Sequence, residues 1–491
     1  MERQIRRMGL GLLIAFVVVF GQLNYIQFFA ASRIASNPAN RRAVIREYSI
    51  KRGDILSLDG KVVATSERSS PGDALKFRRT YPGGELFGHI TGYYSLIFGR
   101  DRIERTYHDA LLGDSGVVSI QDIQDRFTNS EEAGDRIRLT VHSRLQETAR
   151  AELGTQRGAV VALDPNTGEV RAMWSNPSFD PTPLASHSGA EQKRAWDALE
   201  PESPESPLLD LATSRGYPPG STFKVVTTAA ALESGRFQPD TTFEDPDQLE
   251  LPQTDETLTN FTNAACTGTG SIDLFRALQI SCDTTFAKIG LEIPGEVHDT
   301  AEGFAFNRSI PFDVRTEPSS YPVIGDDRLP ARAFAAIGQQ DVVATPLQMA
   351  LVAAAVANGG DVPRPRLVRE IIDNSGGIVE RFSPEVLSEA MSEETAADVT
   401  AMMIAAVEAG TGTAAQIPGV AVAGKTGTAQ TVEGENPHTW FICFAPADDP
   451  QLAVAVIVEN GGEFGSEATG GAVAAPIAKA ILEADRAIRR W

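Results

Sequence analysis

The chain has few of the residues that usually announce a chemistry. Three cysteines in 491 residues neither build a disulfide framework nor give a thiolate metal site with ligand-like spacing. The six histidines, His89, His108, His142, His187, His298 and His438, stand apart from one another, so no ligand pair and no His-based triad is written locally, and no metal or cofactor is expected. Positive charge is scarce as well: 44 Lys and Arg against 65 Asp and Glu leave a net charge of -21. Such a surface repels nucleic acid and anionic lipid. Internal repeats and long low-complexity tracts are absent, and only one long apolar run exists.

That run is at the N-terminus. Arg3, Arg6 and Arg7 precede an unbroken apolar stretch from Met8 to Phe20, which continues to Phe29 with Gln22, Asn24 and Gln27 as breaks. Arginines ahead of the run hold that end in the cytoplasm and send the other end outward. A cleavable signal ending near Ala30-Ala31-Ser32 is the competing reading; both readings export the rest of the chain. Outside the cytoplasm a disulfide can persist, and Cys266 is expected to pair with Cys282, whereas Cys443, in an apolar strand, is expected in the core.

With 491 residues the chain needs more than one folding unit. Residues 31–150 are rich in turn signals such as Arg52-Gly53-Asp54-Ile55 and Tyr81-Pro82-Gly83-Gly84 and read as extended β structure with short helices, with no catalytic constellation. Residues 151–491 open with strands at 158–164 and 169–174, and further strands are expected at 419–423, 440–444 and 452–458. The helices expected between them include 221–234 and 346–358, stopped by glycines, and 472–490 closes the chain. An α+β fold is expected, with one five-stranded, mainly antiparallel sheet flanked by helices, a helical subdomain, and the crowded segment from Pro201 to Pro207 as a loop.

Three short motifs carry chemistry. Ser221-Thr222-Phe223-Lys224 follows Tyr217-Pro-Pro-Gly220, so Ser221 falls at a helix start where unpaired N–H groups favour developing negative charge. Lys224 shares its face, and a poorly solvated lysine near a second cation is a neutral base at ordinary pH. Ser281 is a hydroxyl able to shuttle a proton. Lys425-Thr426-Gly427-Thr428 offers positive potential, a hydroxyl for a carboxylate, and the Thr428 N–H as one oxyanion donor beside that of Ser221. Each motif alone is weak, since Ser at a helix start is most often a cap; together and in this order they point to acyl transfer through a serine ester.

These motifs, with Asn37-Pro-Ala-Asn40, Arg52 to Ile55, Tyr81-Pro82, Gly92-Tyr93, Gly158 to Asp164, Gly338-Gln339, Thr345 to Gln348, Asn358 to Gly360 and Gly424 to Ala429, resemble a class B penicillin-binding protein of the short actinobacterial type. The resemblance runs over nearly the whole chain. It implies a serine β-lactamase-like transpeptidase domain on a non-catalytic, dimerisation-type pedestal of residues 31–150 above an anchor of residues 1–30. It implies that Ser221 is acylated by the D-Ala-D-Ala stem of peptidoglycan or by β-lactams, that Lys224 is its base, and that Ser281 and Lys425 complete the proton network. Asp283, Thr426, Gly427 and Thr428 would then bind substrate, and a glycosyltransferase and other cell-wall synthesis proteins would be partners at the membrane. One position departs from the pattern: Asp283 stands where the family has Asn, and a carboxylate cannot donate the amide N–H that Asn offers.

The competing functions are a D,D-carboxypeptidase, which uses water as acceptor, and a serine β-lactamase. No Glu-x-x-Leu-Asn segment lies between the second and third motifs to activate a deacylating water. A β-lactam sensor would need several spans, and a bifunctional synthase would need a glycosyl-transfer unit. A scaffold with an impaired site is the reading from another class, and Asp283 is its support.

Overall fold

The computed structural model describes residues 2–25, 45–113, 133–430 and 435–491. The Ala30-Ala31-Ser32 and Asn37 to Asn40 segments lie outside these. The apolar run folds as a helix, α1 (Glu2–Asn24), and its stretch from Arg6 to Asn24 is long and apolar enough to cross a membrane and has none of its surface buried.

Four of the strands that follow are β1 (Ile55–Leu56), β2 (Val62–Arg68), β3 (Phe77–Thr80) and β4 (Arg136–Leu139). They lie in a six-stranded sheet whose other two members, residues 368–372 and 378–381, come from far along the chain. The hairpin pairs antiparallel with β4, Ile371 opposite Ile137, so the chain's second half is sewn into the sheet of its first. Helix α2 (Ser143–Leu153) then leads to the second unit.

The second sheet holds β5 (Gly158–Leu163), β6 (Val170–Asn176), β7 (Ala423–Ala429), β8 (His438–Ala445) and β9 (Leu452–Val458). Its order is β7-β8-β9-β5-β6, antiparallel throughout. The first strand of the unit thus pairs with its last, as the alternation at both ends implies, and β7 is an edge. Every residue of β5, β8 and β9 is buried, because both faces are covered: strands buried on two sides read as continuous apolar runs.

The strand expected at 419–423 is displaced. Ile417 and Val420 bridge across a tight turn with Gly419 at φ +75°, so pairing starts only at Ala423 opposite Phe444 and runs on to Ala429 opposite His438. The Lys425-Thr426-Gly427 motif therefore lies inside the edge strand instead of following it.

Between β6 and β7 lie the helices α3 (Lys224–Glu233), α4 (Leu274–Ile280), α5 (Asp283–Glu292), α6 (Pro346–Ala357) and α7 (Glu393–Ala409); α8 (Ala474–Arg489) ends the chain. Helix α6 is apolar but for Gln348 and buried from Pro346 to Val356, as a helix enclosed on every side must be. The Thr345 hydroxyl caps it by accepting the Gln348 N–H at 3.2 Å. It packs on one face of the second sheet, while α2 and α8 cover the other.

Candidate active site

The loop before Ser221 is tied on several sides. Tyr217 exchanges backbone hydrogen bonds with Ala344, and the Gly220 N–H donates to the Gly338 carbonyl at 2.9 Å. The Trp440 Nε1–H donates to the Pro218 carbonyl at 3.0 Å, and the Tyr217 hydroxyl donates to Glu459 Oε1 at 2.6 Å. Gly220 is required twice over: its φ is +52°, and a Cβ there would come within 2.9 Å of the Thr428 carbonyl oxygen on β7. A 3-10 turn, Gly220–Phe223, then delivers half-buried Ser221 one turn ahead of Lys224, the first residue of α3.

Ser281 ends α4 in the left-handed conformation, φ +65° and ψ +45°, which costs a non-glycine residue roughly 1 kcal/mol. Its neighbour Cys282 is joined to Cys266 by a disulfide, and Asp283 opens α5. The turn brings the carbonyl, the hydroxyl and the next carboxylate toward one point. Lys224 Nζ donates to Ser281 O at 2.8 Å, to Ser281 Oγ at 3.3 Å and to Asp283 Oδ1 at 2.7 Å. From the other side, Lys425 Nζ lies 2.7 Å from Ser281 Oγ and 3.0 Å from Thr426 O.

Both lysines are fully buried. Burial lowers the pKa of Lys224, with the Asp283 carboxylate opposing it. Lys425 is pulled well below the usual lysine range by burial and by the charge of Lys224, with Asp283 again opposing.

On β7, Gly427 sits under Thr222, whose Cγ2 would be 2.9 Å from any Cβ there, so the turn that carries Ser221 packs directly on the strand. Thr426 Oγ1 is 2.6 Å from Thr411 Oγ1, and Thr428 Oγ1 accepts the Gly470 N–H at 3.4 Å. Lys224, Ser281, Asp283 and Lys425 are thus one hydrogen-bonded cluster, with Ser221 beside it and Thr426 to Thr428 along one edge. The Asp283 side chain engages Lys224.

Two residues were not singled out from sequence. Thr411 stands in Gly410-Thr411-Gly412, just after α7, and Glu459 is a buried acid closing the apolar strand β9. The second was visible as an acid abutting an apolar run; the first carried no signal beyond its glycines. Asp245, Cys266 and Cys282 cluster as metal ligands would, but the two sulfurs are bonded to each other, and the Asp245 carboxylate accepts the N–H groups of Cys266 and Thr267 at 2.8 and 2.7 Å.

Residues 158–483 match the penicillin binding protein transpeptidase domain family, and residues 52–137 match the penicillin binding protein A dimerisation domain. The chain is 37% identical over 496 residues to the peptidoglycan D,D-transpeptidase PbpA of Mycolicibacterium smegmatis, covering 99% of both proteins. To PbpA of Mycobacterium tuberculosis it is 36% identical over 497 residues, again covering 99% of each. The ceftriaxone acyl-enzyme complex of penicillin-binding protein A from M. tuberculosis superposes with a TM-score of 0.85 at 36% identity, over 90% of this chain and 99% of that one. The imipenem acyl-enzyme complex of the same protein gives 0.83 over 89% and 99%.

Proposed function

The chain belongs to the penicillin-binding protein transpeptidase family, and we infer that it is a peptidoglycan D,D-transpeptidase that forms a serine acyl-enzyme and is acylated by β-lactams. The observation that carries this reading is the meeting of two buried lysines on one serine hydroxyl beside a serine presented on a tight turn. Burial lowers the pKa of both amines, and a site able to take up and return a proton is what ester formation and aminolysis require.

In this reading Ser221 is the nucleophile and attacks the carbonyl of the penultimate D-Ala. Lys224 takes its proton, and Ser281 and Lys425 carry it to the leaving amine. The N–H groups of Ser221 and Thr428 receive the oxyanion, Thr426 and Thr428 bind the donor carboxylate, and Gly427 lets the peptide lie against β7. Asp283 acts on substrate through Lys224. Residues 1–30 anchor the chain by a single span, residues 31–150 form the pedestal, residues 151–491 are the catalytic domain, and everything after the span is extracytoplasmic. A membrane glycosyltransferase and other cell-wall synthesis proteins are its partners.

A fluorescent penicillin tests the reading on the detergent-solubilised full chain. Long-lived label that disappears in Ser221→Ala is expected. Rapid turnover of the label would make the protein a β-lactamase, and no label would leave the scaffold reading. With a D-Ala-D-Ala donor and an amine acceptor, cross-linked product is expected; release of free D-Ala alone would identify a carboxypeptidase.

A further inference from the structure

A cavity of about 260 Å³ lies between the start of the helix Pro294–Gly303, the loop of residues 321–324 and Arg332 of the helix Leu329–Ala336. It shares no residue with the cluster of Lys224, Ser281, Asp283 and Lys425. Tyr321 forms one wall, and its ring stacks flat on Phe223, with 5.2 Å between centroids and 8° between planes, so the cavity backs onto the turn that carries Ser221. Its volume falls below the roughly 300–1,000 Å³ of sites for drug-sized ligands. What fits is small.

The polar groups around it are donors that lack acceptors. Tyr321 is 4% exposed, and its hydroxyl has no hydrogen-bond partner among the described residues. Burial raises its pKa, with the nearby Arg332 guanidinium opposing, so the phenol keeps its proton. A buried donor without an acceptor costs about 1–3 kcal/mol, which a bound acceptor recovers. Arg332 spends Nε and Nη2 on the Ile324 carbonyl, at 3.1 and 2.9 Å, and Nη2 also on Asp326 Oδ1 at 2.7 Å; Nη1 has no acceptor among the described residues. The helix contributes the third set. Pro294 at its first position presets the backbone angle, no side chain caps it, and the N–H groups of Gly295 and Glu296 have no acceptor within the helix.

The remaining surroundings select among anions. Asp326 bonds to Arg332, and Asp299 and Glu302 lie 3.5 and 3.9 Å from the ring nitrogens of His298. These carboxylates resist a dianion such as phosphate and admit a single negative charge. Pro322, Val323 and Ile324 offer apolar surface beside the donors, and Val323 is 83% exposed.

We propose that this cavity is a second binding site, for a small carboxylate with a compact apolar body. The carboxylate accepts from the Tyr321 hydroxyl, from Arg332 Nη1 and from the N–H groups of Gly295 and Glu296, and the apolar body covers Val323. Two sources share this chemistry: the D-Ala end of a stem peptide, and a free short-chain acid. Only the first source rests on the transpeptidase reading.

Saturation-transfer NMR tests the site on the detergent-solubilised full chain, acylated with penicillin so that the Ser221 cleft is filled. The probes are isobutyrate, its uncharged isostere isobutyramide, and N-acetyl-D-alanyl-D-alanine. Isobutyrate is expected to bind at least about tenfold more tightly than isobutyramide. Tyr321→Phe keeps the ring on Phe223 and is expected to weaken isobutyrate about tenfold, the equivalent of one hydrogen bond to a charged acceptor. Val323→Asp, at an exposed position, sets a like charge at the mouth and is expected to weaken it severalfold. Binding of the peptide assigns the stem-peptide end as the ligand, and binding of isobutyrate without the peptide assigns a free acid. No binding of either carboxylate, equal binding of the amide, or a Tyr321→Phe protein that binds as the parent does overturns the proposal. A chain that takes no penicillin would sink the transpeptidase reading alone, since the same titration on Ser221→Ala still decides the site.

Discussion

The Tyr217 hydroxyl donates to Glu459 Oε1 at 2.6 Å across 242 residues of sequence. Glu459 is 5% exposed and is held in turn by Arg157 Nε at 2.9 Å, with Arg215 Nε 3.7 Å away. Tyr217 also stacks edge-on against His438 and Trp440. The end of β9, the start of β5 and the loop that presents Ser221 are therefore fastened at one buried carboxylate. Burial and that carboxylate raise the Tyr217 pKa, so the phenol stays protonated and remains a donor.

Tyr217→Phe removes only this hydroxyl. A hydrogen bond to a charged partner is worth about 1.5–3 kcal/mol, and that loss of stability is expected in chemical denaturation. Because the ring still packs, the loop keeps its path but loses its brace, and acylation by penicillin is expected to slow about tenfold, the equivalent of 1.4 kcal/mol. An acylation rate equal to the parent's would mean that Trp440 and the Ala344 pairing position Ser221 by themselves.

Thr411 offers a sharper contrast between binding and chemistry. Its hydroxyl is 2.6 Å from that of Thr426; when Thr411 donates, the Thr426 proton is left pointing along another direction, available to a carboxylate. Thr411→Val keeps the shape and loses the bond. The initial binding constant for penicillin is expected to weaken about tenfold, roughly 1.4 kcal/mol, with the acylation step nearly unchanged. Thr411→Ser should restore binding, and stopped-flow kinetics separate the two constants.

The Cys266–Cys282 bridge closes a segment of 16 residues, for which the chain-entropy argument gives about 3 kcal/mol. Cys282 lies between Ser281 and Asp283, and Ser281 sits in a backbone region that a serine does not prefer. Reduction, or Cys266→Ser, is expected to loosen that turn, lower stability by up to about 3 kcal/mol, and slow acylation. The third thiol, Cys443, is buried in β8 and does not confuse a thiol titration. Unchanged acylation after full reduction would show that α4 and α5 hold the turn unaided.

Much of this architecture was legible in the sequence where a period or a stop signal was strong. The apolar runs at 158–164 and 452–458 read as strands, and 346–358, stopped by Gly359-Gly360, read as a helix. The residue types of the candidate site were legible too, because Ser221, Ser281 and Lys425 sit in short local motifs. What lay beyond reading was relational. That β7 begins at Ala423 depends on a turn closed by Ile417 and Val420, and nothing in residues 368–381 says that they pair with β4. The direction of the Asp283 side chain depends on the left-handed turn at Ser281, which no residue-type preference foretells.

The Arg52-Gly53-Asp54-Ile55 segment illustrates the same limit and yields a pH prediction. Glu104 is completely buried, and its two oxygens meet Arg52 Nε at 2.5 Å and Arg79 Nε at 2.6 Å, while Arg79 Nη1 donates to the Gly53 carbonyl at 2.7 Å and Tyr81 OH donates to Glu104 at 3.2 Å. Burial alone would raise the Glu104 pKa; Arg52 and Arg79 overcome it and hold the carboxyl below its ordinary value. A depressed folded-state pKa means that the unfolded chain binds the proton more readily, so this contribution to stability is complete above the ordinary glutamate pKa of about 4.3 and is lost as pH falls through the lower, folded value. Denaturation midpoints are therefore expected to fall on acidification below about pH 4, with this segment of the profile absent in Glu104→Gln. That variant leaves two guanidinium groups buried against one neutral amide, and breaking such a pair is expected to cost about 3–5 kcal/mol at neutral pH. Fluorescence-detected urea unfolding measures both. A Glu104→Gln protein as stable as the parent at pH 7, with the same acid limb, would mean that Arg52 and Arg79 are satisfied by the Gly53 and Glu104 carbonyls and that the carboxylate adds nothing.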